Sequence, residues 1–173
     1  LIYKKNSDIE RTDPKNYRPI SLLNCDYKIL SKILAARLTP LLPTLIDDNQ
    51  SAVGGGVVTD PIMLTKAIIH HAKVNNLPQA ILLLDWEKAF DSVSHQFTFD
   101  LMQEMNIHPN FIRWAKLAFT QTSAKCIVNG KLTKGFKLPG GGRQGDNLYP
   151  LLFCLVMQGL KYSLDNTEIG GNN

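Results

Sequence analysis

The segment ILLLDWEKAFDSVSH, residues 81–95, constrains the fold more than any other part of the chain. Four apolar residues run straight into Asp85, and a second carboxylate, Asp91, follows behind the aromatic Phe90. A continuous apolar run of this length reads as a strand buried on both faces. A half-buried strand would alternate, and an amphipathic helix would repeat every three to four residues. A carboxylate at the end of such a strand must emerge at the rim of its sheet, because burying it without a partner is costly. Its candidate partners are a basic side chain, the backbone donors of the next turn, or a hard cation such as Mg2+, which takes protein carboxylates together with phosphate oxygens. On its own Asp85 fits a strand-end cap as well as a ligand-binding group. Asp91, beside Ser92 and Ser94 at a helix start, reads as an N-terminal cap or a loop hydrogen-bonder.

The flanking segments supply helices and a hairpin. After Asn24, a candidate N-cap, Tyr27, Leu30, Ile33, Leu34 and Leu38 recur at helical spacing. Asp60 followed by Pro61 predicts a helix start, with the helix running to about His71. Val93, Phe97, Leu101 and Met105 recur every four residues and predict an amphipathic helix, and Pro109 opens another through NFIRWAKLAFTQ. Residues 124–138 read as two short strands joined at Asn129-Gly130, a strong hairpin signal. A glycine loop then leads into a last helix from Pro150 to about Leu164. With 173 residues, 44% of them hydrophobic, the chain can bury a real core in one domain or a pair of subdomains. The order of helices, a central strand, helices, hairpin and helix predicts an α+β domain.

Several classes are disfavoured. No apolar run reaches the length of a membrane span, and the first residues lack the order of a secretory signal. Cys25, Cys126 and Cys154 form neither a CxxC pair nor an even set, so they read as reduced core thiols of an intracellular protein. A net charge of +4 permits nucleic-acid binding without establishing it. His70 and His71 diverge by about 100° on a helix and make a poor chelating pair. Trp86 and Trp114 read as core aromatics, although Trp86 lies beside the candidate site.

A second constellation, GGGRQGDNLYPLLF at 140–153, sets a glycine loop, Arg143, Gln144 and Gly145 directly before a proline-started helix. Glycine lets backbone approach a ligand closely and a helix N-terminus favours anions, although a plain flexible turn is the alternative. The spacing matches neither the dinucleotide fingerprint nor the P-loop.

The segments NYRPISLLNCDYKILSKILAARL, LLLDWEKAFDSVSH, NFIRWAKLAF and RQGDNLYPLLF, in this order and at these separations, resemble the reverse transcriptase domain of LINE-type, non-LTR retrotransposons. RPISLL and AFDSV point to that lineage in particular. The resemblance implies the fingers and partial palm of a right-hand polymerase, cut before the palm hairpin and thumb, with about 1–75 fingers-like and about 76–173 a partial palm with intervening helices. It implies an RNA-directed DNA polymerase that adds dNTPs to a DNA primer on an RNA template by two-metal displacement at the primer 3′-OH, using Mg2+ or Mn2+. Asp85 matches the first metal-binding aspartate, with the Trp86 backbone carbonyl beside it. Phe90 matches the aromatic steric gate that excludes a ribonucleotide 2′-OH. Arg18 matches the arginine that grips the triphosphate, with Lys4 or Lys5 as the nearby basic contact. Gln144 and Gly145 match the loop against the nucleotide's sugar and the template, and Arg143 stands beside them. Nuclear residence is also implied.

The departures from the family pattern carry information too. Gly54 stands where proline is usual and Gly56 where a basic residue is usual. Gly140 also replaces a common basic residue, Asn147 a proline and Tyr149 a serine. Lost cations weaken phosphate contacts. The family's paired aspartates have no match in this chain, and Asp165 stands alone late in it. The expectation is therefore a polymerase fragment that is inactive by itself and self-associates through an exposed apolar palm. The alternative is a non-catalytic nucleic-acid-binding remnant.

Overall fold

The computed structural model describes residues 2–3, 16–18, 20–48, 50, 59–86, 88–120, 122–138 and 140–166. Among these residues, seven α-helices and six two-residue strands follow in the order β1 (Ile2–Tyr3), β2 (Tyr17–Arg18), α1 (Cys25–Leu38), α2 (Leu42–Leu45), α3 (Thr59–Val74), α4 (Ala89–Ser92), α5 (His95–Glu104), α6 (Pro109–Phe119), β3 (Ser123–Ala124), β4 (Ile127–Val128), β5 (Lys131–Leu132), β6 (Phe136–Lys137) and α7 (Tyr149–Asp165). A 3-10 turn, Thr39–Leu41, joins α1 to α2. Helices with small antiparallel sheets make this an α+β arrangement, as expected. Among the described residues no helix is long and apolar enough to cross a membrane.

Local chemistry explains most of these boundaries. α6 begins on Pro109, whose missing N–H would have no helical partner anyway, and His108 Nδ1 accepts from the Asn110 N–H at 3.2 Å. Asn129 and Gly130 both take positive φ, 50° and 76°, so a two-residue turn closes the β4–β5 hairpin in the register Ile127↔Leu132. β3 and β6 pair outside it, Ser123 opposite Lys137.

The core is helical. α5 packs on α6 and α7, and α6 packs on α1. Leu38, Leu42, Met102, Ala115, Leu148 and Leu155 are fully enclosed at their centre. α1 contributes the expected Leu34 and Leu38 with half-buried Tyr27 and Leu30, whereas Ile33 is exposed and Ser31 takes the inner position. In α5 the inner face is Thr98, Phe99 and Met102, while Phe97, predicted on the apolar stripe, is 51% exposed. Cys154 is buried as expected, but Cys25 and Cys126 lie on the surface. Trp86 and Trp114 are also exposed, not core residues.

The largest correction concerns residues 80–85. This run forms no strand, and Leu82 and Leu83 are 80% and 86% exposed. The physical reason is that a strand is stable only beside another, whereas the three two-stranded sheets of the described residues all form elsewhere. Asp85 therefore ends an exposed apolar segment and not the edge of a sheet.

These positions predict opposite responses to truncation. Leu152→Ala should cost about 2–5 kcal/mol, as deletion of an enclosed side chain does. Leu83→Ala should change stability by less than about 0.5 kcal/mol. Urea unfolding of both variants checks this, and a comparable cost at Leu83 would mean that the apolar run is packed.

Candidate active site

The two sequence constellations meet. The Gly142 N–H donates to the Phe90 carbonyl at 2.8 Å, and the Gly141 N–H donates to the Val93 carbonyl at 2.9 Å. The glycine loop thus lies against the turn that carries Phe90 and Asp91, and the approach is possible only without side chains. A Cβ on Gly142 would sit 1.9 Å from the Tyr149 ring. Phe90 stacks on Phe153 at 4.8 Å with planes 19° apart and leans on Tyr149 at 5.8 Å, leaving 43% of the residue exposed. Beside it, Trp86, Ala89, Phe97, Phe153, Met157 and Leu160 line an apolar cavity of about 370 Å3. Asp85 and Asp91 are both exposed. Asp91 lies within α4, and the cap of α5 is Ser94, whose hydroxyl accepts from the Phe97 N–H at 3.4 Å.

The stretch that leads into α7 is held by a carboxylate that sequence reasoning overlooked. Asp146 is only 4% exposed. It accepts from Ser31 Oγ at 2.5 Å, from the Tyr27 hydroxyl, and from the N–H groups of Leu148 and Tyr149 at 2.8 and 3.3 Å. Ser31 Oγ in turn accepts from the N–H groups of Asn147 and Leu148, each at 3.1 Å. The available signal was an aspartate just ahead of a proline-started helix, a common N-terminal pattern. Burial, then the Asp146 hydrogen bond and charge, pushes the Tyr27 phenol well above the ordinary tyrosine value. Arg143 opposes that shift, with its guanidinium 4.2 Å over the Tyr27 ring and Nη2 donating to the Ala118 carbonyl at 2.8 Å.

The other predicted site residues are placed unevenly. Gln144 and Gly145 are exposed between Arg143 and Asp146. The Arg18 backbone pairs with Ile2 in the β1–β2 ladder. Lys4, Lys5, Gly54 and Gly56 lie outside the described residues. A two-ion centre needs several carboxylates to offset its charge. Among the described residues no group of three or more His, Cys, Asp or Glu side chains is gathered. Asp85 is one carboxylate donor, and these residues do not by themselves complete such a centre.

Tyr149 is 3% exposed, and among the described residues its hydroxyl has no hydrogen-bond partner. Burial, assisted by the Asp91 charge, pushes its phenol up to about 12. A phenol raised in the folded state contributes stability that is intact below the ordinary value near 10 and is lost as pH rises through the folded value. Stability should therefore fall between about pH 10 and 12. Tyr149→Phe should blunt that fall and stabilise the protein by about 1 kcal/mol at neutral pH, since it removes an unsatisfied buried group. Denaturation across this pH range checks both effects, and a destabilised Tyr149→Phe would mean that the hydroxyl is bonded in solution.

A family model described as reverse transcriptase (RNA-dependent DNA polymerase) matches residues 2–170. The chain is 37% identical over 147 residues, 83% of its length, to the Transposon TX1 uncharacterized 149 kDa protein of Xenopus laevis. It is 33% identical over 84% of its length to a retrovirus-related Pol polyprotein from a type-1 retrotransposable element R2 of Nasonia vitripennis. A protein described in the same words from Popillia japonica is 28% identical over 96% of the chain. The chain spans 11%, 14% and 23% of these relatives, respectively. With this match over nearly the whole chain, the chain belongs to the reverse transcriptase family, in the non-LTR retrotransposon lineage that its motifs resemble.

Proposed function

We propose that this chain is the fingers and partial palm of a right-hand RNA-directed DNA polymerase that extends a DNA primer with dNTPs on an RNA template. The observation that carries this reading is the meeting of two motifs about 50 residues apart, the Phe90 turn and the Gly141–Gly142 loop, through backbone hydrogen bonds of 2.8 and 2.9 Å. Phe90 presents a half-exposed ring braced from behind by Phe153 and Tyr149, which suits a side chain that rejects a 2′-hydroxyl by contact. Gln144 and Gly145 form the exposed part of the loop beside it and would face the nucleotide. Arg18, with Lys4 or Lys5, would hold the triphosphate, and Arg143 would contribute positive charge toward the template. Reverse transcriptases are generally divalent-metal dependent. Asp85, with the Trp86 carbonyl, is the metal-binding part that this chain would contribute.

The described residues gather no carboxylate cluster, and the proposal includes that this polypeptide by itself does not polymerise. On the same observation the second reading is a basic, non-catalytic nucleic-acid-binding chain, with a net charge of +4. Primer extension on an RNA template with dNTPs and Mg2+ separates the two. The chain alone should give no product, whereas the chain grafted in place of the matching segment of the Popillia japonica polyprotein should extend the primer, and Asp85→Ala in the graft should reduce product to background. Extension by the chain alone would overturn the proposed inactivity. Equal extension by both grafts would remove Asp85 from the site, and salt-sensitive template binding with no extension by either would favour the second reading.

The exposed run Ile81–Leu84, close in the chain to Trp86 of the apolar cavity, is also proposed as a self-association surface. Sedimentation velocity over a tenfold concentration range should show growing species, and Leu83→Lys should return the protein toward monomer. A wild type that stays monomeric would end this part of the reading.

A further inference from the structure

The turn that carries Phe90 is fixed by more contacts than those on which the polymerase reading rests. Besides the two backbone bonds from Gly141 and Gly142, the Gly141 carbonyl lies 2.6 Å from His95 Nε2. A carbonyl only accepts, so Nε2 carries the proton in this contact. The His95 ring is itself held, with its centroid 5.6 Å from that of Phe119 and 6.4 Å from that of Phe99. Gly141 has φ +73°, a region that side chains rarely adopt, and a Cβ there would lie 2.6 Å from the Asp91 Cα and 2.7 Å from the Phe90 carbonyl oxygen. The loop and the turn therefore touch backbone to backbone, with no flexible side chain between them to absorb a displacement. Below them, Phe90 rests on Phe153 at 4.8 Å.

We propose that Gly141 and His95 are positioning residues for sugar discrimination: they fix the main chain of Phe90, and with it the reach of its ring toward the 2′ position of an incoming nucleotide. The inference rests on the reading that Phe90 faces that sugar. Contact exclusion rises steeply with distance, so a displacement of a few tenths of an ångström at the Phe90 backbone decides whether one extra hydroxyl fits. A shape-based pocket discriminates such a group by about 10- to 200-fold, which leaves room for a measurable loss.

The test is competition by dGTP and by GTP against a fluorescent dGTP bound to the full chain in the presence of Mg2+ and an RNA–DNA primer–template. The quantity read is the ratio of the two affinities within each protein, so a general loss of binding cancels. Wild type should prefer dGTP by about tenfold or more. Phe90→Ala should abolish the preference. Gly141→Ala and His95→Leu should each cut it by at least about threefold, and His95→Gln, which can restore an N–H at the same reach, should keep it. If Phe90→Ala loses the preference while Gly141→Ala and His95→Leu retain it, this inference falls and the reading of Phe90 stands. If wild type binds both nucleotides alike or neither, or if Phe90→Ala leaves the preference intact, the reading of Phe90 falls and takes the inference with it. A variant that binds neither nucleotide while Phe90→Ala still binds dGTP also counts against it, because the loop would then be needed for binding and not for selection.

Discussion

A carboxylate that loses its water must find equivalent donors in the protein, and Asp146 does so by drawing two distant parts of the chain to one point. Its side-chain donors, Tyr27 and Ser31, stand on α1, 119 and 115 residues away, and its backbone donors are the N–H groups of Leu148 and Tyr149 where α7 begins. Hydrogen bonds to a charged group contribute about 1.5–3 kcal/mol each, and loss of their common acceptor would leave several donors buried. The beginning of α7 is thereby fixed against α1, and α7 carries Tyr149 and Phe153, the rings on which Phe90 rests. Arg143, stacked on Tyr27, closes the same knot from the other side of the exposed Gln144–Gly145 turn.

How far the sequence made this visible depended on how local each cause is. The start of α6 at Pro109 and the turn at Asn129-Gly130 follow from the backbone preferences of one or two residues, so both were legible. The buried face of α5 was not. A stripe of Val93, Phe97, Leu101 and Met105 satisfies the period, but the period alone does not say which apolar side meets the neighbouring helices, and Phe99 and Met102 took that side. Ser31 was passed over because a serine among leucines gives no sign of a partner so far along the chain. The candidate site residues were picked out by motif, but the contacts around them, His95 to Gly141 and Ser31 to Asp146, are tertiary facts with no periodic trace.

The run Ile81–Leu84 shows the same limit from the other direction. Its composition is that of an interior strand, and the expectation of burial was sound as a statement about what such residues require. Strand structure, unlike helix structure, is a property of a pair, because its backbone hydrogen bonds leave the segment. With no ladder formed along it among the described residues, the run keeps its apolar side chains exposed, with Leu83 at 86%. The apolar cavity that Trp86, Phe97 and Phe153 help to line begins one residue after Asp85 in the chain, while other exposed apolar side chains, such as Leu22, Met63 and Leu117, lie on other helices and loops.

The roles proposed for Phe90 and Asp85 make different physical demands on the residues around them. Phe90 is supported from behind by Phe153 and Tyr149 and from the side by the Gly141–Gly142 backbone, each within ordinary contact distance. Asp85 is an exposed carboxylate at the end of an unladdered segment. Side chains that discriminate by shape need rigid backing, because their effect vanishes if the backbone yields by a fraction of an ångström. A metal-binding carboxylate needs neighbouring donors more than it needs backing. Among the described residues the Phe90 ring has such backing while no cluster of carboxylates is gathered, so the proposed selecting ring and the proposed metal ligand depend on different parts of the surrounding structure.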